Sequence, residues 1–173
     1  NTTTTIPKNK FSHVCAMFDR TFSNHQAKLF VDGNLASSSN IFNMKPIAFK
    51  TAPLLIGTGS KHETIDMTID PVQTLSGTLD EVRIWHGHIN EAQIKKNKDR
   101  ALFTPSEGNL KLYFKFNEPD GDYESNDVVL DASGNSLHAR ISNFKAALRD
   151  TSKVLLRDGD VVEHPVVLEY DNT

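Results

Sequence analysis

The sequence predicts an all-β fold, an antiparallel β-sandwich of the jelly-roll kind with one short surface helix. Three observations carry that reading. Apolar residues recur mostly with a period of two rather than 3.6. Turn signals such as Asp32-Gly33, Gly57-Thr58-Gly59 and Asp131-Ala132-Ser133-Gly134-Asn135 punctuate the chain at intervals. One helix is credible, where Asn90 and Gln93 offer capping chemistry.

Residues 11–18 read as a strand with both faces largely apolar. Residues 26–31 form a second strand that runs into Asp32-Gly33, and Asn34-Leu35-Ala36 begins its return. Ser37-Ser38-Ser39-Asn40 is expected as a polar loop, 53–57 as a strand, 58–74 as an irregular loop and 77–85 as a long strand. Asn90 N-caps the helix, with Gln93 in the capping-box position and Glu91 at the positive end. Lys95, Lys96 and Lys98 suit its negative end, and Ile89, Ala92 and Ile94 give it a narrow apolar stripe. Thr104-Pro105-Ser106-Glu107-Gly108 is the best boundary. Beyond it Leu110, Leu112, Phe114 and Phe116 alternate with Lys111, Tyr113 and Lys115, a half-buried strand with Tyr113 on its polar face. Val128-Val129-Leu130 leads into the turn at 131–135, and 137–144 is expected as another short strand.

Charge and cysteine usage exclude several classes. The 173 residues hold 19 basic and 22 acidic side chains, a net charge of −3. Residues from Arg149 onward contribute three basic and six acidic groups, so the tail carries the whole imbalance. No basic patch suits nucleic acid. No apolar run approaches the roughly 18 residues of a membrane-spanning helix. Cys15, the single cysteine, rules out an internal disulfide and reads as a packed thiol. The chain starts without Met, and a piece of a longer polypeptide is expected.

Specific motifs then narrow the class. Residues 11–19, Phe11-Ser12-His13-Val14-Cys15-Ala16-Met17-Phe18-Asp19, resemble the W-x-H-V-A-…-D strand of laminin G-like (concanavalin A-like lectin) jelly rolls, with Phe11 in place of Trp. Leu29-Phe30-Val31-Asp32-Gly33 is similar to that family's L-Y-V-D-G hairpin, and Leu54-Leu55-Ile56-Gly57 to its L-x-I-G strand. Residues 76–85, ending Asp80-Glu81-Val82-Arg83-Ile84-Trp85, resemble x-G-x-I-D-E-V-R-I-Y/W, and 89–94 resemble L-S-x-x-E-I. Residues 112–118 and 130–138 resemble the family's opening signature, Y-x-F-x-E…D-x-S-G-N-x-x-H. The resemblance implies three parts: 1–104 as the C-terminal part of one jelly roll, 105–148 as a domain opening, and 149–173 as an extended tail. Either the chain is cut from a tandem array, or 105–148 folds back by a permuted route. The combination looks most like large phage structural proteins carrying such modules.

The resemblance also implies a structural calcium ion. Strand alternation places Asp80 on the face of Val82 and Ile84, where a carboxylate needs donors or a cation. Asp131, Ser133 and Asn135 would bring further oxygens; alternatively Asp80 accepts backbone N–H groups and holds a loop. His86 and His88 lack a third ligand nearby for zinc. His13 reads as a packed, hydrogen-bonded histidine. Trp85, Tyr123, His62 and Asp66 are the candidate ligand-binding residues for a glycan. Asp80 and Glu81 point to opposite faces of a strand and cannot flank one glycosidic bond. The E-x-D-x-x-E pattern of laminarinase-type enzymes is absent, so no catalysis is expected.

The expected function is therefore a non-enzymatic adhesion or structural-interaction module, in a virion (phage tail or capsid) or otherwise extracellular. A calcium-dependent carbohydrate-binding lectin is the alternative. Expected partners are neighbouring protein subunits or modules, or a surface glycan, with no nucleic acid and no membrane. The Val-rich tail is expected to pair with a partner's sheet edge.

Overall fold

The computed structural model describes residues 5–20, 25–41, 54–57, 62–64, 67–69, 75, 77–87, 89–100, 102, 108–116, 118 and 127–141; the side chains of 25, 41, 62–64 and 67–69 lie outside that description. Strand β1 (Val14–Asp19) pairs antiparallel with β2 (His25–Val31), and β2 with β3 (Asn34–Ile41). The β2–β3 turn has two residues, Asp32 at φ 50° and Gly33 at φ 78°. Two successive positive φ angles match the twist of the strands, and Asp-Gly supplies them at least cost.

Residues 37–40, expected as a loop, continue β3 opposite residues 26–29. Their side chains are exposed at the sheet's edge, so backbone hydrogen bonds hold the strand without burial. Strand β1 is also less apolar in setting than expected. Cys15, Met17 and Asp19 turn toward the protein, whereas Val14, Ala16 and Phe18 face out, Phe18 with 60% of its surface exposed. Phe30, opposite Cys15, is fully buried.

Lys45–Leu79 form a unit of their own. Within it β4 (His62–Thr64) and β5 (Met67–Ile69) make an antiparallel hairpin where an irregular loop was expected. Of the strand expected over 53–57, residues 54–57 are described; they run into a bend with exposed Leu54, Leu55 and Ile56, and have no strand partner among the described residues. A strand needs a partner ladder, which apolar composition alone does not provide.

The larger unit, Asn1–Met44 with Asp80–Thr173, holds the remaining elements. Strand β6 (Val82–Trp85) is shorter than the expected 77–85 because Glu81 takes a left-handed φ of 55° and ends the alternation. Helix α1 (Glu91–Asn97) has the full capping box. Gln93 N–H donates to Asn90 Oδ1 and Asn90 N–H to Gln93 Oε1, both at 2.9 Å. Of its expected stripe only Ile94 is buried. The helix packs on the hairpin turn so closely that a Cβ at Gly33 would lie 3.0 Å from Lys98 Cδ and 3.2 Å from Lys95 Cα.

Strand β7 (Leu110–Phe114) pairs antiparallel with β6. The second segment is thus carried back onto the first. Strands β8 (Val128–Val129) and β9 (Ala139–Arg140) pair next to it, through the bridge from Phe114 to Asp131. Leu112, Phe114 and Val129 form the core cluster, with Val82, Phe116, Ala139 and Ile141 against it. The Phe114 and Phe116 rings meet edge to face at 6.0 Å. Each such side chain stabilises by about 1.5–3 kcal/mol when fully buried. Val82 and Leu112 share this buried face as expected. Ile84, expected to be enclosed with them, is 39% exposed at the margin, where the register shifts before Trp85. Tyr113, expected on a polar face, is only 1% exposed. The second face of β7 is therefore covered at Tyr113, while Lys111 on that face stays exposed. The tail, 149–173, lies outside the described residues.

Gly33→Ala is expected to cost about 1–3 kcal/mol, since the new methyl meets α1 in a backbone conformation that disfavours it. Asn90→Ala, which removes only the cap, is expected to cost about 1 kcal/mol. Urea unfolding of both variants checks the order; a harmless Gly33→Ala contradicts the packing of α1 on the turn.

Candidate functional site

Two polar constellations flank β7. The first grows from the cross-strand pairing of Arg83 with Tyr113. That register puts both side chains on one face of the β6–β7 ribbon, opposite the core cluster. The left-handed bend at Glu81 brings its carboxylate back to the same face. Glu81 Oε2 accepts from both Arg83 Nη2 and the Tyr113 hydroxyl. Arg83 Nη1 donates to the Asn97 carbonyl at 3.0 Å, and Nη2 donates to that of Arg100. The guanidinium carbon lies 4.9 Å from the centre of the Tyr113 ring, a cation–π contact, and Lys115 Nζ lies 5.3 Å from it. Burial, reinforced by the negative charge of Glu81, pushes the Tyr113 hydroxyl well above its ordinary pKa. It stays protonated and donates.

The second constellation is the turn at 131–135. Asp131 Oδ1 accepts from the backbone N–H groups of Tyr113 and Ser133, both at 2.9 Å. Oδ2 accepts from Ser133 Oγ at 2.8 Å and Leu137 N–H at 3.0 Å. Asn135 Nδ2 donates to the carbonyls of Leu110 and Lys111. Asp131 N–H donates to His138 Nδ1 at 3.0 Å. Burial raises the Asp131 pKa, but the donated hydrogen bonds from Leu137, Ser133 and Tyr113 outweigh it, and the net shift is downward from 3.8.

Three of the four expected calcium ligands, Asp131, Ser133 and Asn135, are thus brought together. Their donor set does not fit a cation. Both carboxylate oxygens of Asp131 already face two hydrogen donors each, whereas calcium collects six to eight oxygens. Asp80 is half-buried and lies outside β6. The strand alternation that was to align it with Val82 and Ile84 stops at Glu81. Among the described residues no group of three or more His, Cys, Asp or Glu side chains is placed to hold a metal ion.

Of the expected glycan-contacting residues, Trp85 is half-buried at the end of β6 and His62 contributes its backbone to β4. Tyr123 and Asp66 lie outside the described residues, as does His88. His13 is packed as expected, but its Nδ1 has no hydrogen-bond partner. Burial pushes the Cys15 thiol up, away from nucleophilic character. The Glu81–Arg83–Tyr113 set was missed in the sequence. Its one signal was the opposite charges of Glu81 and Arg83 two residues apart, which a strand sets on one face.

Among the described residues the sheets are antiparallel and accompanied by one short capped helix, the content of an all-β jelly-roll module. A family model described as the concanavalin A-like lectin/glucanases superfamily, of the laminin G kind, matches residues 1–95. The chain belongs to this family. No curated protein and no solved structure matches it. No helix among the described residues is long and apolar enough to cross a membrane.

Arg83→Met is expected to destabilise by about 3 kcal/mol, because it leaves Glu81 buried without its cation; adding Glu81→Gln should recover part of the loss. Asp131→Asn is expected to cost about 1–3 kcal/mol at pH 7. A depressed folded pKa means that this stability is present above pH 3.8 and is lost as pH falls through the lower folded value, so variant and parent should converge in strong acid. Chelation is expected to leave the melting temperature unchanged; a drop reversed by added calcium contradicts the hydrogen-bonded reading of Asp131.

Proposed function

We propose that the chain is a non-enzymatic adhesion or structural-interaction module that binds a neighbouring protein through the open face of its three-stranded sheet. The observation that supports this is the character of that face. Register and alternation set Val14, Ala16, Phe18, Ala27 and Leu29 on one side of the sheet. Ser37 and Ser39 of β3 join them there. None of these carries charge, and Val14, Ala16, Phe18 and Leu29 are exposed. Asp19, Lys28 and Gln26 all fall on the opposite side. An uncharged face that sheds water on contact suits a protein surface. A sugar asks instead for several polar grips around a stacked ring.

Family membership supports a binding role, and the setting we propose is extracellular, on a virion. The lectin reading rests on the half-exposed ring of Trp85 and on the family's description.

A photo-crosslinking side chain at Phe18 of the full-length protein, in its native particle or matrix, is expected to trap a polypeptide. The same probe at exposed Lys111 should not. No adduct at Phe18, together with glycan-array binding that disappears with chelator, would replace this reading with the lectin.

A further inference from the structure

The junction of hairpin and helix holds a titratable side chain that neither constellation uses. His13 immediately precedes β1 and is tied to the β2–β3 turn by its backbone. Asp32 N–H donates to its carbonyl at 2.8 Å, and its own N–H donates to Asp32 Oδ1 at 2.9 Å. The imidazole Nδ1 is buried with no hydrogen-bond partner, and so are Ser12 Oγ and Arg83 Nε. Charged groups surround the ring from each element packed there. Asp32 acts from the turn, Arg83 from β6, and Lys98 and Asp99 from the end of α1. The two anions are otherwise engaged: Asp32 Oδ1 by the His13 amide, and Asp99 by Lys98 at 3.6 Å.

We propose that His13 is an acid-operated latch, whose protonation loosens the junction where the Asp32-Gly33 turn, the end of α1 and Arg83 meet. A charged ring carries N–H at both nitrogens, so the buried Nδ1 is then a donor without an acceptor, and a new cation is set near Arg83 and Lys98. The Arg83 guanidinium also holds the carbonyls of Asn97 and Arg100, so repulsion there is transmitted to the end of the helix. Gly33, in contact range of Lys95 and Lys98, makes the turn the opposing surface of the same joint.

The direction of the pH dependence follows from the ring's surroundings. Burial first, and then Arg83, hold the folded His13 pKa below the ordinary 6.5. As pH falls below 6.5 the unfolded chain takes up the proton before the folded one, and stability drops until the folded pKa is passed. One such proton lowers the folded-to-unfolded ratio by at most about tenfold per pH unit. Asp131 acts in a separate window, below pH 3.8.

The test compares the chain with His13→Gln by urea unfolding from pH 7.5 to 5, and follows the His13 ring and amide exchange at Gly33, Asn34 and Lys98 by NMR. The parent is expected to lose up to about tenfold per pH unit below 6.5 beyond any loss in the variant. Exchange at the three amides should quicken with the midpoint of the ring titration. Equal pH slopes in the two chains overturn the latch, as does a ring that titrates at or above 6.5, or one that titrates with the junction amides unchanged. If His13→Gln does not fold, the ring and amide measurements on the parent decide alone.

Discussion

Taking the Arg83 guanidinium largely out of water obliges the chain to bring acceptors to it, and the larger unit does so at both terminal nitrogens, though not at Nε. Glu81 supplies the countercharge, Asn97 and Arg100 supply carbonyls, and the Tyr113 ring supplies a face. A buried ion pair gains little by itself, because desolvation offsets most of the Coulomb attraction. Its value here lies in specification. Three separated stretches, 81–83, 97–100 and 113, must meet before the charge is satisfied, and few alternative registers allow that. The left-handed backbone at Glu81 is the local strain accepted in return.

The Asp131 turn works by the same logic with the sign reversed. A carboxylate is surrounded by N–H and O–H donors, two of them on Ser133 and one on the backbone of β7. It fixes the turn against the strand that also carries Tyr113. The chemistry-bearing groups of these two sets are thus directed inward at backbone. Among the described residues the uncharged face of the first sheet lies apart from both sets.

Part of this was legible in the chain. The Asp32-Gly33 hairpin and the Asn90 capping box are local, decided within a few residues, and both formed as their chemistry requires. The pairing of β6 with β7 was not legible, since 110–114 might have paired with any edge. Without that pairing Tyr113 reads as a surface residue between two lysines, although it is among the most buried side chains. The clustering of Asp131, Ser133 and Asn135 was foreseen from their spacing. Three of the donors that meet Asp131 lie within six residues of it, and the fourth comes from the backbone of β7, 18 residues away.

By itself the sequence determined what depends on neighbours along the chain: the period-two alternation, the tight turn, the capped helix and the motif order that marks the family. The tertiary structure alone decided which alternating face is buried, where Arg83 finds its acceptors, and why Phe18 stays in water while Tyr113 does not. The reason is physical. Alternation assigns side chains to two faces, but burial of either face is a property of whatever packs against it, and that comes from residues far off in the chain.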